Sequence, residues 1–209
     1  MVVFGGSFDP PHLGHQVLLQ QVQQDVDADE VWVLPVGQAV HRTLTADVSA
    51  RQRLRWVEAS LGVLEGVRVL DWEAVSDRPV ASVESMRRVV DALAGAIPYW
   101  VLGMDAWRSL PSWVGYPEHL AYCHILVVPR QGEAMVEHAD WQFVAQPCGG
   151  AQAGCVSYMS QFPPAISSSL IRQRVAAGQN ISGYVVAAIE QEVQAAYSVA
   201  FESNMSEVV

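Results

Sequence analysis

The 209-residue chain contains no lysine: all twelve of its basic residues are arginines. Three mechanisms fall away with that absence. No lysine can reach phosphates from a P-loop, form a Schiff base, or serve as a general base. Cysteine is scarce as well. Cys123, Cys148 and Cys155 have scattered spacings that make neither a disulfide framework nor a tetrahedral zinc pattern, and they read as idle thiols in a reducing compartment. No apolar run is long enough to span a bilayer, and no basic stretch leads into an apolar one at the N-terminus, so the expectation is a cytoplasmic protein without a membrane partner. The net charge is −10, with no dense basic stripe, which speaks against nucleic acid as a partner.

At 51% hydrophobic residues the chain can bury one large core, so a single domain over 1–200 with a short tail over 201–209 is expected. Short apolar runs alternate with helical patterns. Strands are predicted at Val2–Gly6, Glu30–Leu34, Val67–Trp72, Tyr99–Leu102, His124–Val128 and Val156–Met159. Helices are predicted at His15–Val26, from Ser49 to Leu61, from Ser82 to Ala94, at Ser167–Ala177, and over a last segment marked by Val186, Ile189, Val193 and Tyr197. Residues 129–155 read as an elaborated loop. This alternation indicates an α/β fold, a Rossmann-like doubly wound parallel sheet with a C-terminal helical extension. In such sheets ligands bind beyond the carboxyl ends of the strands.

The richest segment is GGSFDPPHLGH at positions 5–15. Gly5 and Gly6 end a strand where the backbone can approach a ligand with no Cβ in the way. Pro10 and Pro11 force a loop. Gly14-His15 then opens a helix, whose N-terminus offers free N–H groups and partial positive charge. Strand, glycine turn and helix start make an anion cradle, to which His12 and His15 add side-chain donors. A second helix start, Ile166-Ser167-Ser168-Ser169-Leu170-Ile171-Arg172, supplies hydroxyl caps and an arginine one turn in. A third segment, Val101-Leu102-Gly103-Met104-Asp105, places a carboxylate just beyond a strand end. Asp105 suits a ribose diol there, and equally a helix cap.

These segments resemble the HxGH nucleotidyltransferase superfamily, and GGSFDPPHLGH is most similar to the nicotinate mononucleotide adenylyltransferases. The resemblance runs from residue 5 to about 197. It implies catalytic roles for His12, His15 and Arg172. It implies ATP contacts for Gly6, Ser7, Phe8, Gly14, Gly103, Asp105, Ile166, Ser167 and Ser168. On the mononucleotide side it implies Arg42, Ser82, Trp113 and Arg130, with the pyridine ring stacked on Trp113. Arg42 and Arg130 could equally be solvated surface charges. Around the pyridine the chain departs from the family: Val36-Gly37-Gln38-Ala39-Val40 replaces a run with asparagines and Pro-Pro, Val80-Ala81-Ser82 replaces Ser-Tyr-Thr, and Val114 replaces a tyrosine.

The expected chemistry is adenylyl transfer from ATP to the 5′-phosphate of nicotinate mononucleotide, with Mg2+ carried by ATP. Alternatives are nicotinamide mononucleotide or another phosphorylated acceptor, or a nucleotide-binding protein without catalysis. The attacking phosphate is ionised at neutral pH, so no general base is needed. Bound anions are expected to raise the histidine pKa values. The sequence is also compatible with a homo-oligomer.

Overall fold

The computed structural model describes residues 1–38, 48–147 and 152–206, with side chains to residue 198. Seven strands form one sheet: β1 (Val2–Gly6), β2 (Val31–Pro35), β3 (Val67–Val69), β4 (Tyr99–Gly103), β5 (His124–Val128), β6 (Gln142–Phe143) and β7 (Cys155–Tyr158). Their order is β3-β2-β1-β4-β5-β7-β6 and every pairing is parallel. The chain leaves β1 outward through β2 and β3, then returns to the other side of β1 to lay down β4. The strand order therefore reverses between β1 and β4, where the carboxyl ends of both strands finish in glycine.

Side chains alternate across a strand, so each buried strand feeds two cores. Val2, Phe4, Val31, Val33, Tyr99, Val101, Leu126 and Val128 point to one face. There they meet α1 (Leu13–Asp25) and α2 (Ala50–Ser60) through Leu18, Leu19, Val22 and Val57. Val3, Trp32, Leu34, Trp100, Leu102, Ile125 and Val127 point to the other face, against Met86 and Val89 of α3 (Ser82–Ala92) and Met104 and Trp107 of α4 (Met104–Ser109). A third cluster packs α5 (Ser168–Ala176) and α6 (Ala187–Ser206) onto Trp56 of α2 through Ile171, Val175, Ile189, Val193 and Tyr197. That cluster is the C-terminal helical extension, and it carries the far end of the chain back to the end of β1.

Differences from the sequence reading lie at element edges. α1 starts at Leu13 rather than His15, with His12 as its N-cap. β3 stops at Val69, short of Trp72, because Asp71–Val75 turns on itself through a Val75 N–H bond to the Asp71 carbonyl. α6 continues to Ser206, past the point at Phe201 where the sequence reads as a tail. Within 129–155, β6 adds a two-residue edge strand. Among the described residues no helix is long and apolar enough to cross a membrane.

Trp107 ties this last region to the core. It is fully buried, its Nε1–H donates to the Val136 carbonyl at 2.8 Å, and it packs against Trp141 and Phe143. Replacing Trp107 with Ala is expected to lower the unfolding free energy by about 3–5 kcal/mol, through lost burial and the cavity left behind. Urea unfolding measures this, and a loss under about 1 kcal/mol would contradict the assignment.

Candidate active site

Two cavities open at the reversal point, one on each face of the sheet end, and Gly103 borders both. On the α1 side lies a cleft of about 520 Å³, lined among others by Ser7, Phe8, Asp9, His12, Gly14, His15, Asp105, Arg130, Ile166, Ser167, Ser168 and Arg172. On the α3 side lies a pocket of about 140 Å³, walled by Val3, Leu102, Met86, Trp100 and Trp113, with Ser82, Ser85 and Glu73 as its polar members.

The cleft is built from both ends of the chain. Ser167 caps α5, accepting the Leu170 N–H at 3.2 Å. Ser168 Oγ–H donates to the Pro10 carbonyl at 2.8 Å, and Arg172 Nη1 donates to the Asp9 carbonyl at 2.5 Å. The Asp9 carboxylate is buried, with Oδ2 3.6 Å from Arg172 Nη1, and its Oδ1 accepts the Tyr197 hydroxyl at 2.6 Å. The fully buried Arg53 donates to the Ser7 carbonyl at 2.5 Å and the Gly37 carbonyl at 2.7 Å, which holds the turn after β1 from beneath.

His12 and His15 stack with ring centroids 3.6 Å apart and an interplanar angle of 17°. The His12 backbone N–H donates to His15 Nδ1 at 3.1 Å. His15 Nδ1 is thus an acceptor, and in the neutral ring the proton must sit on Nε2. Burial holds the His12 pKa down at about 4, and burial together with the neighbouring His12 holds His15 well below its ordinary value. Without an anion both rings are neutral, the reverse of what a bound polyphosphate would favour. A Cβ on Gly14 would lie 3.0 Å from His12 Nδ1 and 3.4 Å from Ile166 Cβ, so only glycine leaves the ring and the α5 approach undisturbed. A Cβ on Gly6 would press on the Phe8 ring at 3.1 Å, and Phe8 itself has a positive φ of 47°. A bulky residue in that conformation is held by its surroundings, here by the buried edge contacts of its ring with Phe4 and His15.

The sequence-predicted residues distribute as follows. His12, His15, Arg172, Ser7, Phe8, Gly14, Asp105, Ile166, Ser167 and Ser168 share the cleft, and Gly103 joins it to the pocket. Gly6, expected on the ATP side, borders the pocket. Ser82 and Trp113 share the pocket. Arg130, expected with them, lies in the cleft instead: it follows β5 on the α1 side of the sheet, and its guanidinium pairs with Asp105 at 2.7 Å. Arg42 lies outside the described residues. Trp32, Trp56 and Trp100 are buried as core, though Trp100 also walls the pocket.

Residues that gained no site role from the sequence but are bonded around the two cavities are Asp9, Arg53, Glu73, Ser85, His119 and Tyr197. Glu73 is buried with its carboxyl held up at about 6 by that burial, although the Ser85 hydroxyl donates to Oε1 at 2.6 Å and works the other way. Only Asp9 had a local signal, standing inside the glycine-histidine segment. Among the described residues no group of three His, Cys, Asp or Glu side chains could hold a metal ion. The cleft's two aspartates, Asp9 and Asp105, are each engaged by an arginine. This donor set fits a metal held by a ligand's phosphates and water rather than by a protein cage.

Comparison with known proteins agrees with this architecture. Residues 3–174 match the model of the Cytidylyltransferase-like family. The chain is 33% identical over 202 residues to a protein of Pseudomonas entomophila named "Probable nicotinate-nucleotide adenylyltransferase", covering 92% of this chain and 91% of that one. It is 31% identical over 192 residues to a protein of the same name from Shouchella clausii, with 92% of each chain covered. Among solved structures, a Plasmodium falciparum nicotinic acid mononucleotide adenylyltransferase complexed with NaAD superposes with a TM-score of 0.68 at 16% identity, covering 95% of this chain and 96% of that chain, which shows the shared fold. The match over residues 3–174 and relatives 31–33% identical across 92% of the chain show that it belongs to the cytidylyltransferase-like family, among the nicotinate-nucleotide adenylyltransferases.

Proposed function

We propose that the protein transfers the adenylyl group of ATP to the 5′-phosphate of nicotinate mononucleotide, releasing pyrophosphate and forming deamido-NAD for NAD biosynthesis. The observation that carries this reading is the junction of cleft and pocket at Gly103, with His12, His15 and Arg172 on the cleft side and Trp113 on the pocket side. A triphosphate in the cleft and a pyridine ring in the pocket would bring their phosphates together over the ends of β1 and β4.

A phosphate oxygen of the mononucleotide attacks the α-phosphorus of ATP in line. The new P–O bond forms as the bond to the β-phosphate oxygen breaks, and pyrophosphate leaves with that electron pair. The attacking phosphate is already ionised, its second pKa being about 6. What the protein supplies is positioning and charge stabilisation. His15 offers Nε2–H, His12 stacks beside it, and the α5 N-terminus with Ser167, Ser168 and Arg172 faces the leaving pyrophosphate. Asp105 would meet the adenosine ribose, and Arg130, now paired with it, would be shared between Asp105 and a phosphate. Mg2+ arriving with ATP would neutralise part of the phosphate charge when bound.

Replacing His15 with Ala removes one preorganised donor and is expected to lower the turnover number by roughly a hundredfold or more, while far-UV circular dichroism is unchanged. Pyrophosphate release with ATP and nicotinate mononucleotide is the readout, and a near-wild-type rate would remove His15 from the mechanism.

The neutral His12 gives a second expectation, for stability. Its folded pKa of about 4 lies below the ordinary 6.5, so its contribution is present above 6.5 and is lost as pH falls through 4. The ligand-free protein should therefore lose up to about 3 kcal/mol between those values relative to a His12→Gln variant. Glu73, with its raised pKa, works in the opposite sense and cancels in that comparison. Urea unfolding of both proteins across this range tests it, and parallel curves would contradict it.

A further inference from the structure

Resting on the reading of the pocket as the seat of the pyridine ring, we propose that His119 orients the Ser82 hydroxyl as a donor into that pocket and so favours a ring bearing a carboxylate over one bearing a carboxamide. His119 lies in the short 3-10 turn Glu118–Ala121 and is fully buried. Its ring stacks on Trp100 at 5.6 Å with an interplanar angle of 16°. Nε2 is 3.0 Å from Ser82 Oγ, while Nδ1 is buried without a hydrogen-bond partner among the described residues.

That asymmetry selects a tautomer. Burial holds the His119 pKa below its ordinary value, against a weaker opposing pull from Glu118, so the ring is neutral. With the proton on Nδ1, a buried N–H would lack an acceptor among the described residues. With the proton on Nε2, only a lone pair is left over, and the N–H is satisfied by Ser82 Oγ. Orphaned buried N–H groups are the rarer and costlier case. His119 is therefore the donor and Ser82 Oγ the acceptor, which leaves the Ser82 hydroxyl hydrogen free to turn toward the pocket that Ser82 lines.

A fixed O–H donor bonds a carboxylate oxygen roughly twice as strongly as a neutral carbonyl, because the bond is charge-assisted. Were the polarity reversed, Ser82 would present lone pairs, which suit an amide N–H2 and oppose a carboxylate. Glu73, in the same pocket, pulls toward the amide. However, Ser85 occupies one of its oxygens, and its raised pKa means that an adjacent anion drives it readily to the neutral form.

The test is the ratio of kcat/KM for nicotinate mononucleotide to kcat/KM for nicotinamide mononucleotide, with ATP saturating. His119→Leu should narrow the wild-type ratio by roughly tenfold, the size of one charge-assisted bond. His119→Gln, whose side-chain N–H2 can stand where Nε2–H stood, should recover most of it. Ser82→Ala should narrow the ratio by itself, and adding His119→Leu to that background should change it no further. An unchanged ratio in His119→Leu, or effects of the two substitutions that simply add, would overturn the role of His119. If His119→Leu does not fold, His119→Gln must hold the ratio and Ser82→Ala must narrow it, or the proposal fails. Wild-type protein that turns over neither mononucleotide would instead overturn the functional reading itself.

Discussion

The structure depends on one tie between distant parts of the chain. Asp9, in the loop after β1, accepts the Tyr197 hydroxyl from α6 and faces the Arg172 guanidinium from α5, while the Asp9 and Pro10 carbonyls take donors from Arg172 and Ser168. A buried carboxylate is tolerable only when it is paired and hydrogen-bonded. The docked C-terminal helices supply Asp9 with the Tyr197 hydroxyl and the Arg172 guanidinium. Folding of the third core cluster and assembly of the anion cleft are therefore one event: Ile171, Val175 and Tyr197 bury apolar surface against α2, and the same packing brings Arg172 to the histidines.

The sheet divides the labour. Period-two alternation sends Phe4 to the α1 face and Val3 to the α3 face. The cavities at the sheet end inherit this division: the cleft sits above Phe4, Phe8 and Leu18, and the pocket above Val3, Trp100 and Leu102. The first is ringed by polar groups and backbone amides, the second by indole rings. A ligand with a charged middle and two flat ends would cross between the cavities at Gly103, which borders both. A Cβ built on Gly103 would meet nothing within 4 Å, so the strand end borders open space.

Much of this was legible in the sequence because it is local. Buried parallel strands read as short apolar runs, and Val2–Gly6 and His124–Val128 appear in the structure with the same bounds. The glycine-histidine and serine-arginine helix starts carry cap and turn chemistry within a few residues of each other. β6 was not legible, since two residues carry no periodicity. Glu73, His119, Arg53 and Tyr197 were not legible either. Each is a single residue in an ordinary helical or loop context, and its significance arises from a partner 12 to 188 positions away, such as Ser85 for Glu73 and Asp9 for Tyr197. Arg130 shows the converse: the resemblance singled out the residue, but only the strand's facing decides which cavity it enters, here the cleft, where it pairs with Asp105.

A protein of net charge −10 without lysine must still hold a polyphosphate. Long-range attraction cannot do this, because the mean field of the molecule repels an anion. The cleft relies instead on short-range groups whose charge is conditional. Arg172 and Arg130 are paired with Asp9 and Asp105, and both histidines are kept neutral by burial. None of these carries an uncompensated charge before an anion arrives. On the proposed reading, an entering phosphate would let each arginine share its donors and would offset the desolvation that keeps the imidazoles neutral, so the cleft would gain positive charge as the ligand binds. Selectivity follows from the same restraint. A free lysine would attract any anion, whereas a site of this build would favour a ligand that reaches the helix starts, the stacked imidazoles and both arginines together.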